Sequence, residues 1–206
     1  MRWAAGVTHI LGMEIECCGP GLSPPFLLVS NHLSMMDVFL LASQFGCIFV
    51  SRADLADWPV FGFIARQGST LFIDRQNRRD IHRVGEEIAA ALAQGHGVSL
   101  FPEGGVSTDA EVHDFKPALL EPAVRGGLPV HYASITYETF EGGPSPREAL
   151  VWGNDMGLFG HFFAVATLPR FKAIVTVGAE PIFARDRKFL ADSLCAAVRE
   201  SFVPPR

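Results

Sequence analysis

The residues best suited to chemistry are His32 and Asp37, in the run Asn31-His32-Leu33-Ser34-Met35-Met36-Asp37. An imidazole can take a proton from a hydroxyl near neutral pH when a partner holds its other nitrogen. His-x4-Asp across a turn from an apolar strand into a helix lets the carboxylate bond one ring nitrogen and leaves the other free. The helix start also carries backbone N–H groups that can face a developing oxyanion. Ser34-x-x-Asp37 is at the same time a capping box, in which Asp37 serves the helix end. Spacing leaves both readings open, and they can coexist.

Two further clusters have the same setting, an apolar strand running into a polar turn. Gly68-Ser-Thr-Leu-Phe-Ile-Asp74-Arg75 ends in a charge pair. Between Arg66 and Arg83 lie five arginines (66, 75, 78, 79 and 83) against Asp74 and Asp80. Arginine suits bidentate contact with phosphate. A solvated helix face and a strand-end ion pair explain the same residues. Phe101-Pro102-Glu103-Gly104 puts a carboxylate at a bend, where it can bind a hydroxyl or orient a partner. By itself such a turn is commonplace.

The elements that must position these groups read as an α/β alternation. Strands are predicted at 13–17, 26–30, 47–51, 70–73, 98–101, 130–137, 149–152 and 172–177. Helices are predicted at 3–12, 35–45, 60–66, 117–124 and 187–202, with an apolar helix within 156–168. The clearest helix is capped by Asn77, with Ile81, Val84, Ile88 and Leu92 at helical spacing and Gly95 as its stop. Three polar clusters thus follow strands, where open α/β sheets place ligands. The expectation is one α/β domain over residues 1–206, with a mixed central sheet of about seven strands and helices on both faces.

Composition narrows the function classes. The 206 residues suffice for one sizeable core, 49% are hydrophobic, and phenylalanine (17) far outnumbers tyrosine (2). Mean hydropathy is +0.23. This suits a greasy core, an acyl-chain pocket or a face resting on lipid. No apolar run approaches the roughly 18 residues of a spanning helix, and the N-terminus lacks a signal-peptide pattern. Net charge is −5, which argues against nucleic acid as a partner. Cys17, Cys18, Cys47 and Cys195 have no zinc spacing and read as buried free thiols of a reducing compartment. The histidines do not converge as metal ligands, and no metal or cofactor is expected. Gly-x-Ser-x-Gly and Walker signatures are absent.

Taken in order, the clusters resemble the glycerolipid acyltransferase family, the group of 1-acylglycerol-3-phosphate acyltransferases. The resemblance rests on Asn31-His32-x4-Asp37, Gly68-x3-Phe72-Ile73-Asp74-Arg75, Phe101-Pro102-Glu103-Gly104 and a Pro129-Val130 strand. Phe115-Lys116 and the exit from Val175 to Pro181 are secondary matches, and the whole covers about residues 10–185. It implies acyl transfer from acyl-CoA or acyl carrier protein to a lysolipid hydroxyl. His32 would be the base and Asp37 its orienting partner. Arg75 would contact the acceptor's phosphate, Gly68 would shape that strand's approach, Glu103 would bind the acceptor, and Gly104 would allow close approach. The implied substrate-binding set is Asn31, Gly68, Asp74, Arg75, Glu103 and Gly104.

Two departures stand out. Many relatives continue the third motif as Phe-Pro-Glu-Gly-Thr-Arg-Ser, whereas this chain reads Gly104-Gly105-Val106-Ser107-Thr108-Asp109, without the arginine. That is closer to a branch that includes lyso-ornithine lipid acyltransferases. Many relatives also carry an apolar N-terminal hairpin, whereas this chain begins almost at its first strand. Peripheral attachment at the cytoplasmic face of a membrane is expected, through residues 58–63 or 159–168 with nearby arginines. A lipid-binding protein without turnover is the non-enzymatic alternative.

Overall fold

The computed structural model describes residues 2–58, 62, 68–74, 77–152 and 157–205. Helix α1 (Arg2–Ile10) leads into strand β1 (Met13–Cys18) and then β2 (Phe26–Ser30). Helix α2 (Met36–Phe45) ends on Gly46, whose left-handed backbone (φ 63°) turns the chain into β3 (Ile48–Arg52). A 3-10 turn (Ala53–Asp57), β4 (Leu71–Ile73), α3 (Arg78–Ala93) and β5 (Gly97–Leu100) follow. A second 3-10 turn (Pro117–Leu120), α4 (Glu121–Gly126), β6 (Val130–Glu138), α5 (Pro146–Ala149), α6 (Leu158–Ala166), β7 (Phe171–Val177) and α7 (Arg187–Ser201) complete the order.

The seven strands form one mixed sheet, ordered β1-β7-β6-β2-β5-β3-β4. Every neighbouring pair is parallel except β6 with β7. Central β2 reads Phe-Leu-Leu-Val-Ser and is buried throughout, as a parallel strand covered on both faces must be. β7, one strand in from the edge, alternates buried and half-buried positions. One core lies between the sheet and α1, α2 and α6, with Leu28, Leu40, Ile135, Val165 and Phe171. The opposite core joins the sheet to α3, α4 and α7 through Val29, Ile88, Leu120 and Leu194.

Most predicted elements lie within a residue or two of the observed ones. Asn77 caps α3 as expected, its Oδ1 accepting the Arg79 N–H at 3.0 Å. The helix predicted over 117–124 splits in two, because Pro122 has no N–H to continue the first turn. Residues 149–152 are not a strand. Pro146 starts a helical turn that ends at Ala149, and Leu150 and Val151 are buried by tertiary packing without a ladder. The helix predicted over 60–66 lies outside the described residues, apart from Gly62. Of the four thiols, Cys47 and Cys195 are buried, Cys18 is half-buried and Cys17 is exposed. Among the described residues no helix is long and apolar enough to cross a membrane.

Candidate active site

The parallel strands β2, β5, β3 and β4 all end on one edge of the sheet, and the polar clusters begin there. β2 stops at Ser30, opposite Ala133, while β6 runs on to Glu138. Asn31 bridges the step. Its Nδ2 donates to the Ile135 carbonyl at 2.9 Å, and its Oδ1 accepts the Ile135 N–H at 2.7 Å. The carboxamide thus does what the next backbone residue of a strand would do. With both ends of its carboxamide engaged and the side chain buried, Asn31 anchors the turn.

His32 is held from several sides. Its N–H donates to Glu103 Oε1 at 2.9 Å, and its carbonyl accepts the Ser107 N–H at 2.7 Å. The imidazole stacks on Phe101, 3.9 Å between centroids at 11°. Nδ1 lies 2.7 Å from Asp37 Oδ2, with the His32 side chain 14% exposed and that of Asp37 fully buried. A carboxylate in this pair can only accept, so Nδ1 carries the hydrogen and Nε2 keeps its lone pair. This is the arrangement a general base requires.

Asp37 also keeps its capping role. Oδ2 accepts the N–H groups of Leu33 (2.7 Å) and Ser34 (3.0 Å), and Ser34 Oγ accepts from Met36 N–H (3.3 Å). The two readings of this spacing therefore coexist in one carboxylate. The same bonds narrow the donors left for an oxyanion. The N–H groups of residues 32, 33, 34, 36 and 37 all have partners within the chain, so they are not offered to an oxyanion.

Glu103 sits at the end of β5, 6% exposed, with both oxygens committed. Oε1 takes the His32 N–H, and Oε2 takes the His113 N–H at 3.1 Å. Burial outweighs these donors and pushes its carboxyl up to about 7. The observed geometry makes Glu103 a clamp on the His32 backbone, the orienting alternative of the sequence reading. Gly104 follows in a left-handed conformation (φ 88°), its N–H donating to the Phe101 carbonyl at 3.2 Å. That backbone is the physical reason for glycine at the bend.

Three neighbours escaped the sequence reading. Tyr137 of β6 donates its hydroxyl to Asp37 Oδ1 at 2.5 Å. His161 of α6 pairs its Nε2 with Ser34 Oγ at 2.8 Å and stacks on Trp152. The backbone N–H of Trp152 donates to the Leu33 carbonyl at 2.9 Å. Burial lowers the His161 imidazole's affinity for protons. The sequence signal for these residues was weak: a polar-tipped aromatic on an apolar strand, and a histidine within an apolar helix.

The second motif lies apart, at the end of edge strand β4. Two strands intervene between β2 and β4, a separation of roughly 14 Å at ordinary strand spacing. Gly68 is buried in the turn before β4, and Ser69 follows with φ 56°. The Asp74 N–H donates to Asp80 Oδ2 at 2.6 Å, and its carbonyl accepts from Asn77 N–H. Arg75 and Arg66 lie outside the described residues. Arg83 is engaged by Asp80, Glu87 and the Phe72 carbonyl, and Arg52 forms a two-pronged pair with Asp54. The structure therefore brings Asn31, His32, Asp37, Glu103 and Gly104 together and leaves Gly68 and Asp74 farther along the same sheet edge.

Residues 15–136 match the family described as Acyltransferase. The chain is 33% identical over 208 residues to a lyso-ornithine lipid O-acyltransferase of Brucella abortus, covering 94% of this chain and 77% of that protein. It is 30% identical over 175 residues to a protein of the same name from Rhizobium meliloti, covering 80% of this chain and 60% of that one. Identity to a 1-acyl-sn-glycerol-3-phosphate acyltransferase of Neisseria gonorrhoeae is 26% over 191 residues, covering 92% and 74%. The chain thus spans 60% of the Rhizobium relative's length and 74% of the Neisseria relative's. A crystal structure of the 1-acyl-sn-glycerophosphate (LPA) acyltransferase from Thermotoga maritima shares the fold, with TM-score 0.67 at 23% identity over 97% of this chain and 76% of that one.

Proposed function

The chain belongs to the acyltransferase family, and from that premise we propose that it moves a fatty acyl group from a thioester onto the free hydroxyl of a lysolipid. The observation that carries this reading is the 2.7 Å contact between His32 Nδ1 and buried Asp37, with the His32 side chain 14% exposed. His32 Nε2 takes the hydroxyl proton as that oxygen attacks the thioester carbonyl. The tetrahedral intermediate then expels the thiolate, which recovers the proton from the imidazolium. Asp37 holds the ring and balances its transient charge. The donor is acyl-CoA or acyl carrier protein.

The acceptor reading that follows the sequence resemblance is 1-acylglycerol-3-phosphate, with Arg75 toward its phosphate. A second reading, lyso-ornithine lipid, is favoured by the segment after Gly104. There Asp109 bonds Ser107 Oγ (2.8 Å) and His113 Nε2 (2.9 Å), and no arginine is present. Purified protein, acyl-CoA and each lysolipid in turn form the test. Release of CoA is expected with at least one acceptor, and none with any lysolipid would sink the proposal. On a phosphate-bearing acceptor, Arg75→Ala should raise KM more than it lowers kcat.

We place the reaction at the cytoplasmic face of a membrane, with the protein bound peripherally. Helix α6 turns His161 toward the catalytic turn and presents Phe159 (48% exposed) and Phe163 (66% exposed) outward. Trp58 of the other candidate face packs against the core, and 59–61 and 63 lie outside the described residues. Flotation with anionic vesicles should recover the wild type and lose much of the Phe159→Ser, Phe163→Ser double variant.

A further inference from the structure

We infer that Tyr137 is a positioning residue of the catalytic pair, setting the proton affinity of His32 through Asp37. This rests on the proposed acyl-transfer reading of the His32 site.

Asp37 has two oxygens with different duties. Oδ2 faces the turn and serves His32, Leu33 and Ser34. Oδ1 points the other way, into the core, and its partner is the Tyr137 hydroxyl. Tyr137 is fully enclosed, packed against Phe171 at 6.1 Å between centroids, so it cannot reach a substrate. Burial and the adjacent Asp37 charge raise its phenol well above the ordinary range, so it is always a donor here. It reaches Asp37 because β6 outruns β2, and antiparallel β7 supports the overhang, with Tyr137 opposite Ala173.

The electrostatic consequence has a definite sign. With Asp37 ionised, the pair carries one negative charge when His32 is neutral and none when it is protonated. A donor on Oδ1 stabilises the negative state more than the neutral one. The Tyr137 hydroxyl therefore favours the form of the pair in which Asp37 is charged and His32 Nε2 keeps its lone pair. Other titratable groups near the pair are Glu103, below the His32 backbone, and His161, across Ser34. Neither touches Tyr137 through a hydrogen bond, so a change at Tyr137 leaves their own contacts in place.

The test is Tyr137→Phe, which keeps the ring and removes one hydroxyl. The His32 imidazole is titrated by NMR, and the same protein is assayed with acyl-CoA and lysolipid across pH. The expected results are a His32 titration moved to higher pH, an acidic limb moved with it, and a fall in kcat of about ten-fold, the scale of one hydrogen bond to a charged group. KM should stay near wild type. A tyrosine that merely filled space would lower the melting temperature and leave the titration in place. That outcome overturns the inference.

With two tyrosines in the chain, fluorotyrosine incorporation in a Tyr132→Phe background changes Tyr137 alone. The more acidic phenol is a stronger donor, so the His32 titration should move to lower pH. No movement, or movement upward, overturns the inference even where Tyr137→Phe fails to fold. The titrations need no substrate. A wild type that transfers no acyl group therefore defeats the proposed function without deciding this point.

Discussion

The turn at the end of β2 and the turn at the end of β4 occupy the same edge of one sheet, yet they are built differently. In the first, residues 31–37 are tied to β6, the β5 turn, α6 and the segment after α5, largely out of contact with water. In the second, a three-residue edge strand leads into a helix start whose bonds are exposed ion pairs and a cap. A base must be held in place before substrate arrives, because misplacement by an ångström is costly in rate. A surface that receives a charged headgroup must stay wet and accessible. Substitutions of equal size should therefore be felt strongly in the first turn and weakly in the second.

The largest effect is expected at the pair itself. His32→Ala should cut turnover about 10²–10⁴-fold, the usual contribution of a general base, while the protein stays folded because the backbone bonds of residue 32 remain. Asp37→Asn should lower kcat strongly and also remain folded. Its oxygen can face the donors of residues 32–34 while its NH₂ donates to the Tyr137 oxygen. Circular dichroism alongside steady-state rates checks both, and a fully active, folded His32→Ala protein would remove the base from the mechanism.

Next comes Asn31→Ala. It deletes two buried bonds to Ile135 and leaves that residue's N–H and carbonyl unpaired, a loss of about 2–4 kcal/mol in denaturant unfolding. Normal stability would show that this anchor is dispensable.

Glu103→Gln sharpens the contrast through pH. The wild-type carboxyl has its folded value raised from 4.5 to about 7, so its favourable contribution is complete below 4.5 and is lost as pH rises through about 7. Up to about 3 kcal/mol of pH-dependent stability follows from that interval. The variant's unfolding curve should be flatter between those values, and a slope equal to wild type would contradict the buried clamp.

The smallest effect belongs to the second turn. Arg83→Ala should cost no more than ~1 kcal/mol, since its pairs with Asp80 and Glu87 are half exposed. A loss as large as that of Asn31→Ala would erase the difference between the two regions.

Much of the fold was readable from short-range patterns. The fully apolar run 26–30 announced a central strand, and Asn77 with its helical repeat announced α3. His32, Asp37, Glu103 and Gly104 were candidates because the family's motif spacing, which they resemble, is itself local. Residues 149–152 misled because burial against the catalytic turn produces the same apolar run as burial in a sheet.

From the sequence alone came the feasibility of a His32–Asp37 pair, the elements that carry it and the apolar character of the core. These follow from backbone periodicity, caps and turn chemistry, which act over a few residues. The tertiary structure decided which partners complete the pair. Tyr137 stands 100 positions from Asp37, His161 127 from Ser34, and the Asn31 anchor on Ile135 spans 104. Such contacts depend on strand order and on how far β6 outruns β2, and those are set by packing between distant segments, which no local pattern encodes.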